Sequence, residues 1–252
     1  MENKAKVKII VLAAGKGTRM ENDTLPKVLS KVKGISMIHM LLDTIHKSEV
    51  DHSPIIIVGY KKEEVEKELG DQYTYVHQKE QLGTGHAVSM ARDFLKDKAN
   101  HILVLYGDQP LIKPETIQNI ITEHLNSKNK ITITTVSVSD FEDFRTCFDF
   151  YSRVVRDQDG KIKKTVEKKD ATEEELKIKE VNPSQYCFDA NWLWEKIQTL
   201  KNDNSQKEYY LPDLIKIAID EGVKIESIPV SPIEALGANT KNELLTLENF
   251  IR

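Results

Sequence analysis

The residues best suited to chemistry stand near the start of the chain, in residues 12–20, which read LAAGKGTRM. Two alanines and two glycines let a ligand approach the backbone closely, and the bare N–H groups can then bind an anion. Lys16, Arg19 and Lys27 add positive charge around the same opening. This combination indicates a triphosphate site. The alternative is a glycine turn between a strand and a helix, flanked by surface lysines.

The spacing of these glycines excludes two familiar phosphate-binding loops. A Walker A loop has a lysine directly after its last glycine, whereas Gly17 is followed by Thr18. A dinucleotide-binding loop has a third glycine three residues later, where Met20 stands.

A carboxylate follows a second apolar run, at residues 101–106. Gly107 and then Asp108 follow this run, and Pro110 prevents the strand from continuing. Magnesium in nucleotide sites takes only one or two protein oxygens, so Asp108 is a candidate Mg²⁺ ligand. The alternative is a turn in which the carboxylate accepts backbone N–H groups. A metal-dependent glycosyltransferase would need an Asp-x-Asp pair, and Pro110 occupies its third position.

Two glutamines flank the approach to a Gly-Thr-Gly segment at residues 83–85. The amides of Gln78 and Gln81 offer a donor and an acceptor to the edge of a base. A polar surface loop is the alternative. His86 follows, and we expect a structural role for it because the spacing provides no carboxylate partner.

The elements that must position these residues alternate between strand and helix. Apolar runs predict strands at residues 7–12, 55–60, 73–76 and 101–106. Helical spacing of apolar residues connects them and continues at residues 116–125. The pattern predicts an α/β sheet with helices on both faces. Ligands bind beyond the carboxyl ends of such strands, so Gly15, Gly59, Gly83 and Asp108 should gather along one rim.

The second half of the chain contains a hairpin. Residues 151–156 and 161–167 flank an Asp-Gly turn, and further strands are predicted at residues 131–138, 181–189 and 224–230. Helices are predicted around them and at the end of the chain. We expect one domain, with the hairpin inserted as a lobe over the rim.

Composition indicates an ordinary globular protein. The 252 residues are 39% hydrophobic and 30% charged, and a net charge of −4 argues against a nucleic-acid surface. The two cysteines, Cys147 and Cys187, do not form a metal-type pair and are typical of packing residues in a reducing compartment. Without a signal-peptide pattern or a membrane-length apolar run, we expect a cytoplasmic protein that does not contact membranes.

Five segments, taken in their order, carry a family resemblance. They are residues 12–20 (LAAGKGTRM), 25–29 (LPKVL), 81–87 (QLGTGHA), 106–111 (YGDQPL) and 166–171 (VEKKDA). Together they resemble the uridylyltransferase domain of bacterial N-acetylglucosamine-1-phosphate uridylyltransferase, within the sugar-nucleotide pyrophosphorylases. The likeness covers residues 7–239. Because the sequence ends at Arg252, we expect a stand-alone domain without the family's β-helix acetyltransferase half.

The resemblance implies a Rossmann-like fold, the nucleotide-diphospho-sugar transferase fold. Its sheet is mixed and mostly parallel, with helices on both faces and an inserted β-hairpin lobe. A single nucleotidyltransferase domain would span residues 1–252. The nucleotide-binding half would cover about 1–125, the sugar-binding half about 126–240, and a C-terminal helix 241–252.

The resemblance also implies roles for individual residues. The implied catalytic residues are Arg19, Lys27 and Asp108. The implied nucleotide-binding residues are Leu12, Ala13, Ala14, Gly15, Gly17, Thr18, Gln78, Gln81, Gly83, Thr84, Tyr106 and Gly107. The implied sugar-binding residues are Ser152, Glu167, Asn182 and Asn239. Mg²⁺ would be bound by Asp108 and Asn239.

Three segments depart from the family pattern, all in the sugar-facing half. Ser152 replaces the glycine of the hairpin, Pro183-Ser184 replaces a Thr-Gly pair, and Pro212 stands at a threonine position. A Cβ at position 152 crowds a backbone approach, and Pro183 removes a donor. The reaction class is therefore better defined than the sugar.

The reaction implied is Mg²⁺-dependent transfer from UTP to N-acetylglucosamine-1-phosphate, giving UDP-N-acetylglucosamine and pyrophosphate. Three alternatives stay open. They are another sugar- or alcohol-phosphate acceptor, with UTP or CTP as the nucleotide; a non-enzymatic nucleotide sensor; and a glycosyltransferase. The partners expected are these small molecules, without nucleic acid or membrane, and the sequence makes no prediction of oligomeric state.

Overall fold

A ten-stranded sheet forms the centre of the protein, whose structure is a computed structural model describing residues 6–20, 25–204 and 206–251, without the side chain of Thr18. The strands are β1 (Val7–Ala13), β2 (Lys31–Val32), β3 (Ile35–Ser36), β4 (Ile55–Val58), β5 (Thr74–His77), β6 (His101–Tyr106), β7 (Ile131–Ser137), β8 (Ser152–Arg156), β9 (Ile162–Val166), β10 (Glu180–Asn182), β11 (Tyr186–Asp189) and β12 (Ile225–Pro229). The helices are α1 (Met37–Lys47), α2 (Lys62–Leu69), α3 (Thr84–Ser89), α4 (Arg92–Leu95), α5 (Pro114–Ser127), α6 (Glu173–Leu176), α7 (Ala190–Lys196), α8 (Asp213–Asp220) and α9 (Lys241–Glu248).

The strand order is β5-β4-β1-β6-β11-β7-β10-β8-β9, with β12 paired to β7 and with β2 and β3 forming a separate small ribbon. Strands β5, β4, β1 and β6 are mutually parallel. The pairings make β7, β8 and β12 run in that same direction and β9, β10 and β11 in the opposite one. The predicted mixed, mostly parallel sheet is confirmed.

The parallel strands end at one level, which creates the rim. Leu12 pairs with Tyr106, Ala13 pairs with Val58, and Val58 pairs with His77. The chain therefore leaves β1, β4, β5 and β6 at the same edge of the sheet. The loops that follow β1, β5 and β6 carry predicted site residues, among them Gly15, Gln81 and Asp108.

Apolar side chains alternate between the two faces of the sheet, as period-two strands require. Ile9 and Val11 face a layer formed by α1, α2 and α5. Ile10 and Leu12 face a layer formed by α3, α4, α7 and α8. The strands are buried on both faces, which explains their continuous apolar runs. The prediction of helices on both faces is confirmed.

A third apolar cluster connects the second half to α9. It includes Val136 of β7, Phe148 before the hairpin, Val181 of β10 and Leu247 of α9. Cys147 belongs to this cluster, while Cys187 lies in the sheet; both are free and buried. The packing role predicted for the cysteines is confirmed. That the chain is a single domain stays a prediction, supported by the continuity of the sheet.

Two predicted elements are each divided in the structure. The strand predicted at residues 181–189 is interrupted between β10 and β11, because Pro183 has no N–H and Ser184 adopts a left-handed φ of 69°. The helix predicted through Val88, Ala91 and Leu95 is two short helices, α3 and α4. None of the helices in the described ranges combines the length and the apolar character needed to cross a membrane.

Candidate active site

A cavity of about 560 Å³ lies at the rim, between the loops after the parallel strands and the hairpin β8–β9. It brings together most of the residues singled out from the sequence. Its lining includes Leu12, Ala13, Ala14, Gly15, Gly17, Lys27, Gln78, Gln81, Gly83, Thr84, Tyr106, Asp108, Ser152, Glu167, Asn182 and Asn239.

Opposite charges meet at the centre of this cavity. The Lys27 ammonium donates to Asp108 Oδ2 at 2.5 Å and to Asn239 Oδ1 at 2.8 Å. Lys27 begins a short 3-10 turn whose next residues, Val28 and Leu29, are buried and fix its backbone. Three segments far apart in the sequence therefore bring a cation and two oxygens to one point.

The backbone around Asp108 and Asn239 is itself tied together. Ala238 N donates to the Asp108 carbonyl at 3.1 Å, and a Cβ at Gly237 would lie 3.1 Å from that same oxygen. Asn239 N donates to Glu243 Oε2 at 2.6 Å. Glu243 belongs to a capping box at the start of α9, so the N-terminus of this helix fixes the position of Asn239.

The two oxygens fit a magnesium ion. They converge on a single cation already, and a carboxylate plus an amide oxygen is a hard donor set suited to Mg²⁺. Within the described ranges, no group of three or more His, Cys, Asp or Glu could hold a metal. A site of two protein oxygens is nevertheless sufficient for Mg²⁺ that completes its coordination with water and phosphate.

The two glycines of the first loop have different structural reasons. A Cβ at Gly15 would meet no atom within 4 Å, so the space beside it is open to a ligand. Gly17 has a φ of 64°, and a Cβ there would lie 2.6 Å from Lys27 Cβ. Gly17 therefore leaves room for the Lys27 side chain, while Gly15 keeps the backbone accessible to a ligand.

Gln78 is held by its neighbours at the end of the cavity where the sequence predicts a base. Its Nε2 contacts the Gly83 carbonyl and His86 Nδ1, each at 3.0 Å. Gln81 Nε2 donates to the backbone carbonyl oxygen of Gln78 at 3.1 Å. The two glutamines thus form one wall of the cavity.

Position 83 requires glycine for a structural reason that the sequence alone does not reveal. Its φ is 102°, and a Cβ there would lie 2.5 Å from the carbonyl oxygen of Tyr209. Tyr209 N donates to the Leu82 carbonyl, and its own carbonyl accepts from Gly85 N, both at 2.8 Å. The segment around Tyr209, rather than a ligand, therefore occupies the open side of Gly83.

Tyr106 presents a neutral hydroxyl to the cavity. Burial is the main cause that raises the pKa of Tyr106 well above its ordinary value, against hydrogen bonds with Thr84 and Ser184. A phenol with a raised pKa donates hydrogen bonds at neutral pH and does not act as a base.

The hairpin end of the cavity is polar and acidic. The Ser152 hydroxyl donates to Glu167 Oε1 at 2.6 Å. Burial, followed by the charge of Glu167, raises the pKa of Asp213. Asn182 lines the cavity with its amide engaged, since Nδ2 donates to the Tyr186 hydroxyl and Oδ1 accepts from Ser184 N, both at 2.9 Å.

Two predicted residues, Arg19 and Gly107, do not line this cavity. Arg19 is exposed and lines an adjoining pocket of about 110 Å³, which shares Tyr151 and Asn239 with the main cavity. Gly107 lies behind the wall, with its N–H donating to the Leu12 carbonyl at 2.9 Å. The side chain of Thr18 lies outside the described part of the chain.

The cavity also contains residues that were not predicted for it. They are Val28, Ala87, Gln109, Phe150, Tyr151, Pro183, Ser184 and Glu208. Lys16, whose charge the sequence places at this opening, also lines the cavity. Gln109, next to Asp108, donates to the Pro183 carbonyl at 2.7 Å and so connects the two halves. Its position after Asp108 was a usable signal. Glu208 comes from the segment at Tyr209, and its local sequence carries no such signal.

The sequence profile of a family described as nucleotidyl transferase matches residues 8–229. Three curated relatives are named bifunctional protein GlmU. The one from Clostridium novyi is 43% identical over 96% of this chain and 52% of that protein. The one from Acetivibrio thermocellus is 40% identical over 96% and 51%, and the one from Clostridium acetobutylicum 44% over 93% and 50%. The chain spans about half the length of these relatives.

Two solved structures share the fold. A Bacillus anthracis protein titled as a glucose-1-phosphate thymidylyltransferase, in complex with a sucrose, has a TM-score of 0.76 at 22% identity, covering 97% of this chain and 94% of that one. A CMP:2-keto-3-deoxy-manno-octonic acid synthetase complexed with CTP has a TM-score of 0.69 at 13% identity, covering 98% of each. The similarity confirms the predicted nucleotide-diphospho-sugar transferase fold.

Proposed function

The chain belongs to the nucleotidyl transferase family, and from this premise we propose that it transfers the uridylyl group of UTP to N-acetylglucosamine-1-phosphate. The products are UDP-N-acetylglucosamine and pyrophosphate. The chain is a nucleotidyltransferase; the choice of UTP, of this sugar phosphate and of a cytoplasmic location belongs to the proposal.

One observation carries the proposal: Lys27, Asp108 and Asn239 meet between two differently equipped ends of one cavity. At one end, Gln78 and Gln81 offer amides to a base. At the other end, Ser152 and Glu167 offer a hydroxyl and a carboxylate to a sugar. The reacting phosphates would lie between these ends, beside the charged centre.

The reaction needs positioning and charge stabilisation more than covalent chemistry. An oxygen of the sugar phosphate attacks the α-phosphorus of UTP in line, and the bond to the leaving pyrophosphate breaks. No general base is required, since the attacking phosphate is already an anion. Lys27 neutralises charge on the transferred phosphoryl group, and the backbone beside Gly15 binds the triphosphate.

Asp108 and Asn239 are the residues that would hold Mg²⁺. When bound, the ion supplies charge neutralisation on phosphate oxygens. Both oxygens contact the Lys27 ammonium in the structure. Lys27 therefore stands close enough to exchange these contacts for contacts to a phosphate.

Replacing Asp108 with asparagine tests this assignment. The Asp108→Asn variant removes the negative charge at nearly unchanged size, so the Mg²⁺ concentration giving half-maximal rate should rise about tenfold or more. Magnesium titrations of both proteins measure the shift. An unchanged titration curve would remove Asp108 from the proposed site.

A second candidate function is the same transfer to a different phosphate acceptor. It is favoured by Ser152, whose hydroxyl occupies Glu167 Oε1 where a glycine would leave that oxygen free. The nucleotide end gives no comparable reason for a change.

Pyrophosphate release from a panel of nucleotides and acceptors separates the candidates. Purified protein with Mg²⁺ is given UTP, CTP, dTTP or ATP, each with N-acetylglucosamine-1-phosphate, glucosamine-1-phosphate, glucose-1-phosphate or phosphocholine. We expect the fastest release from UTP with N-acetylglucosamine-1-phosphate. A different fastest pair would redefine the substrates, and no release from any pair would refute the proposed reaction.

A further inference from the structure

The amide of Gln78 is fixed by two contacts inside the protein. Gln78 is only 3% exposed and lines the base end of the cavity. Its Nε2 lies 3.0 Å from the carbonyl oxygen of Gly83 and 3.0 Å from His86 Nδ1. These two contacts determine which end of the amide remains for a ligand.

The contact with Gly83 fixes the orientation of the amide. A backbone carbonyl oxygen only accepts hydrogen bonds, so the group facing it must be the NH₂. The second hydrogen of that NH₂ points at His86 Nδ1, which must then be the unprotonated nitrogen of a neutral imidazole. Both amide hydrogens are thereby used inside the protein.

The oxygen of the amide is the part left for a ligand. Gln78 Oε1 accepts no hydrogen bond from the described residues, and it is not among the fully buried unsatisfied atoms of that part of the chain. It is therefore open to the cavity. Gln78 presents an acceptor, and a base bound there must present a donor.

We propose that His86 is a positioning residue for base selection. It holds the Gln78 side chain so that the amide oxygen Oε1 selects a base with a donor at N3. The inference rests on the proposed function, in which the nucleotide is UTP. Uracil carries a hydrogen at N3, whereas cytosine N3 is an acceptor. A buried acceptor that meets another acceptor loses its hydrogen bond, which is how such sites reject close analogues.

His86 acts through Gln78, because it does not line the cavity itself. It lies on α3, with its ring centroid 6.5 Å from that of Tyr209. Without His86, the Gln78 side chain keeps a single anchor and can rotate about its three side-chain bonds. Its NH₂ can then turn toward the cavity and pair with cytosine N3.

The test is calorimetric binding of UTP and of CTP to the full chain in the presence of Mg²⁺. The variants are His86→Leu, His86→Ala, His86→Asn, Gln78→Leu and the double variant His86→Leu/Gln78→Leu. We expect the selectivity ratio, the Kd for CTP divided by the Kd for UTP, to fall about tenfold in His86→Leu and His86→Ala. This is the effect of about one hydrogen bond. His86→Asn should restore it, since an amide oxygen can stand near the place of Nδ1.

The double variant distinguishes positioning from a general structural role. If His86 acts through Gln78, adding His86→Leu to Gln78→Leu should leave the ratio unchanged. Additive losses of the ratio in the double variant would overturn the inference. An unchanged ratio in both His86→Leu and His86→Ala would also overturn it, and so would equal binding of UTP and CTP by the natural protein. His46→Leu, an exposed histidine whose ring contacts Tyr73, is the matched control.

Binding rather than turnover is measured so that the two proposals can fail separately. Preferential UTP binding without pyrophosphate release would refute the proposed reaction and leave His86 testable. Turnover of UTP with an unchanged ratio in the His86 variants would refute only the inference. Melting temperatures of all variants establish that each one is folded.

Discussion

Lys27 joins the two oxygens that we propose as Mg²⁺ ligands. Its ammonium contacts both Asp108 and Asn239, and about one sixth of its side chain is exposed to solvent, 16% against 13% for Asp108. The pair is therefore screened only partly by water. At the scale of single residues, the proposed function requires the Lys27 ammonium to exchange these contacts for contacts to a phosphate.

Removing the Lys27 charge should slow the reaction strongly. In Lys27→Ala we expect kcat to fall about a hundredfold or more, because one preorganised charge-stabilising group is lost. Steady-state kinetics measures the loss. Lys31→Ala, which removes an exposed lysine four residues later, should leave kcat unchanged. Equal turnover in Lys27→Ala and the natural protein would contradict the role of Lys27.

The two glycines of the first loop should respond differently to the same methyl group. Gly15→Ala meets open space, so its free energy of unfolding should change by less than about 0.5 kcal/mol while the KM for UTP rises. Gly17→Ala strains a left-handed backbone and pushes on Lys27, so it should lose about 1 kcal/mol or more and also lower kcat.

Urea unfolding and steady-state kinetics on both glycine variants provide the comparison. The informative result is the contrast between them, since each serves as the control for the other. A destabilised Gly15→Ala would show that position 15 is needed for the fold rather than for ligand access.

At the scale of elements, α9 positions a site residue that lies just outside it. The Glu243 carboxylate accepts from the backbone N–H groups of Asn239 and Thr240, at 2.6 and 3.1 Å. The Thr240 hydroxyl accepts from Glu243 N in return. The helix start is thus a support for the proposed Mg²⁺ ligand as well as a cap.

Two variants of this cap separate the support from the helix. Glu243→Ala and Thr240→Ala both break the capping box, and each should cost about 0.5–2 kcal/mol of stability. Only Glu243→Ala also frees Asn239 N, so only this variant should need more Mg²⁺ for half-maximal rate. Matching magnesium curves for the two variants would count against a positioning role of Glu243.

The sequence predicts the elements better than it predicts their contacts. Buried β-branched runs and helical spacing identify most of the strands and helices, because these patterns are local. Pro183 itself was a signal in the sequence for the break in the strand. No such signal indicates that β11 lies between β6 and β7, since strand order is decided by tertiary packing rather than by any one segment.

The same distinction holds for the site. The motifs and the family resemblance identify Lys27, Asp108 and Asn239 as a group, but spacing alone cannot bring together residues as distant as Lys27 and Asn239. Gly83 is a further example. It lines the cavity, but its need for glycine arises from the backbone of Tyr209, which comes from a distant segment and cannot be read from spacing.

At the scale of the whole molecule, we expect a pair of histidines, His124 buried and His101 half-buried, to make stability depend on pH. His124 is 1% exposed; its Nδ1 lies 2.8 Å from Thr132 Oγ1 and its Nε2 lies 3.1 Å from His101 Nδ1. Burial, followed by the charge of His101, lowers the pKa of His124 to about 4. Burial also lowers the pKa of His101. Nearby Asp189 opposes these shifts and Lys130 adds to them.

The stability should therefore fall as the pH is lowered from about 6.5 toward 4. In this window the unfolded chain binds protons that His124 and His101 of the folded protein do not bind. The pKa shift of His124 corresponds to a loss of at most about 3 kcal/mol in the free energy of unfolding. Urea unfolding at pH 7.5, 6 and 5 measures the slope, which should be flatter in His124→Gln. His46→Gln, at an exposed histidine, should keep the natural slope; a His124 variant with that slope would contradict the assignment.

The place of β11 has a consequence for how the chain is made. The ribosome delivers residues 1–127, with every strand of the parallel group, before Tyr186–Asp189 exists. Until then β6 exposes a row of unpaired peptide groups beside its apolar side chains, the kind of surface that sticks to other chains. A nascent chain must keep that flank covered until its last third emerges, so the parallel strands β1, β4, β5 and β6 depend for the completion of their sheet on a strand made later.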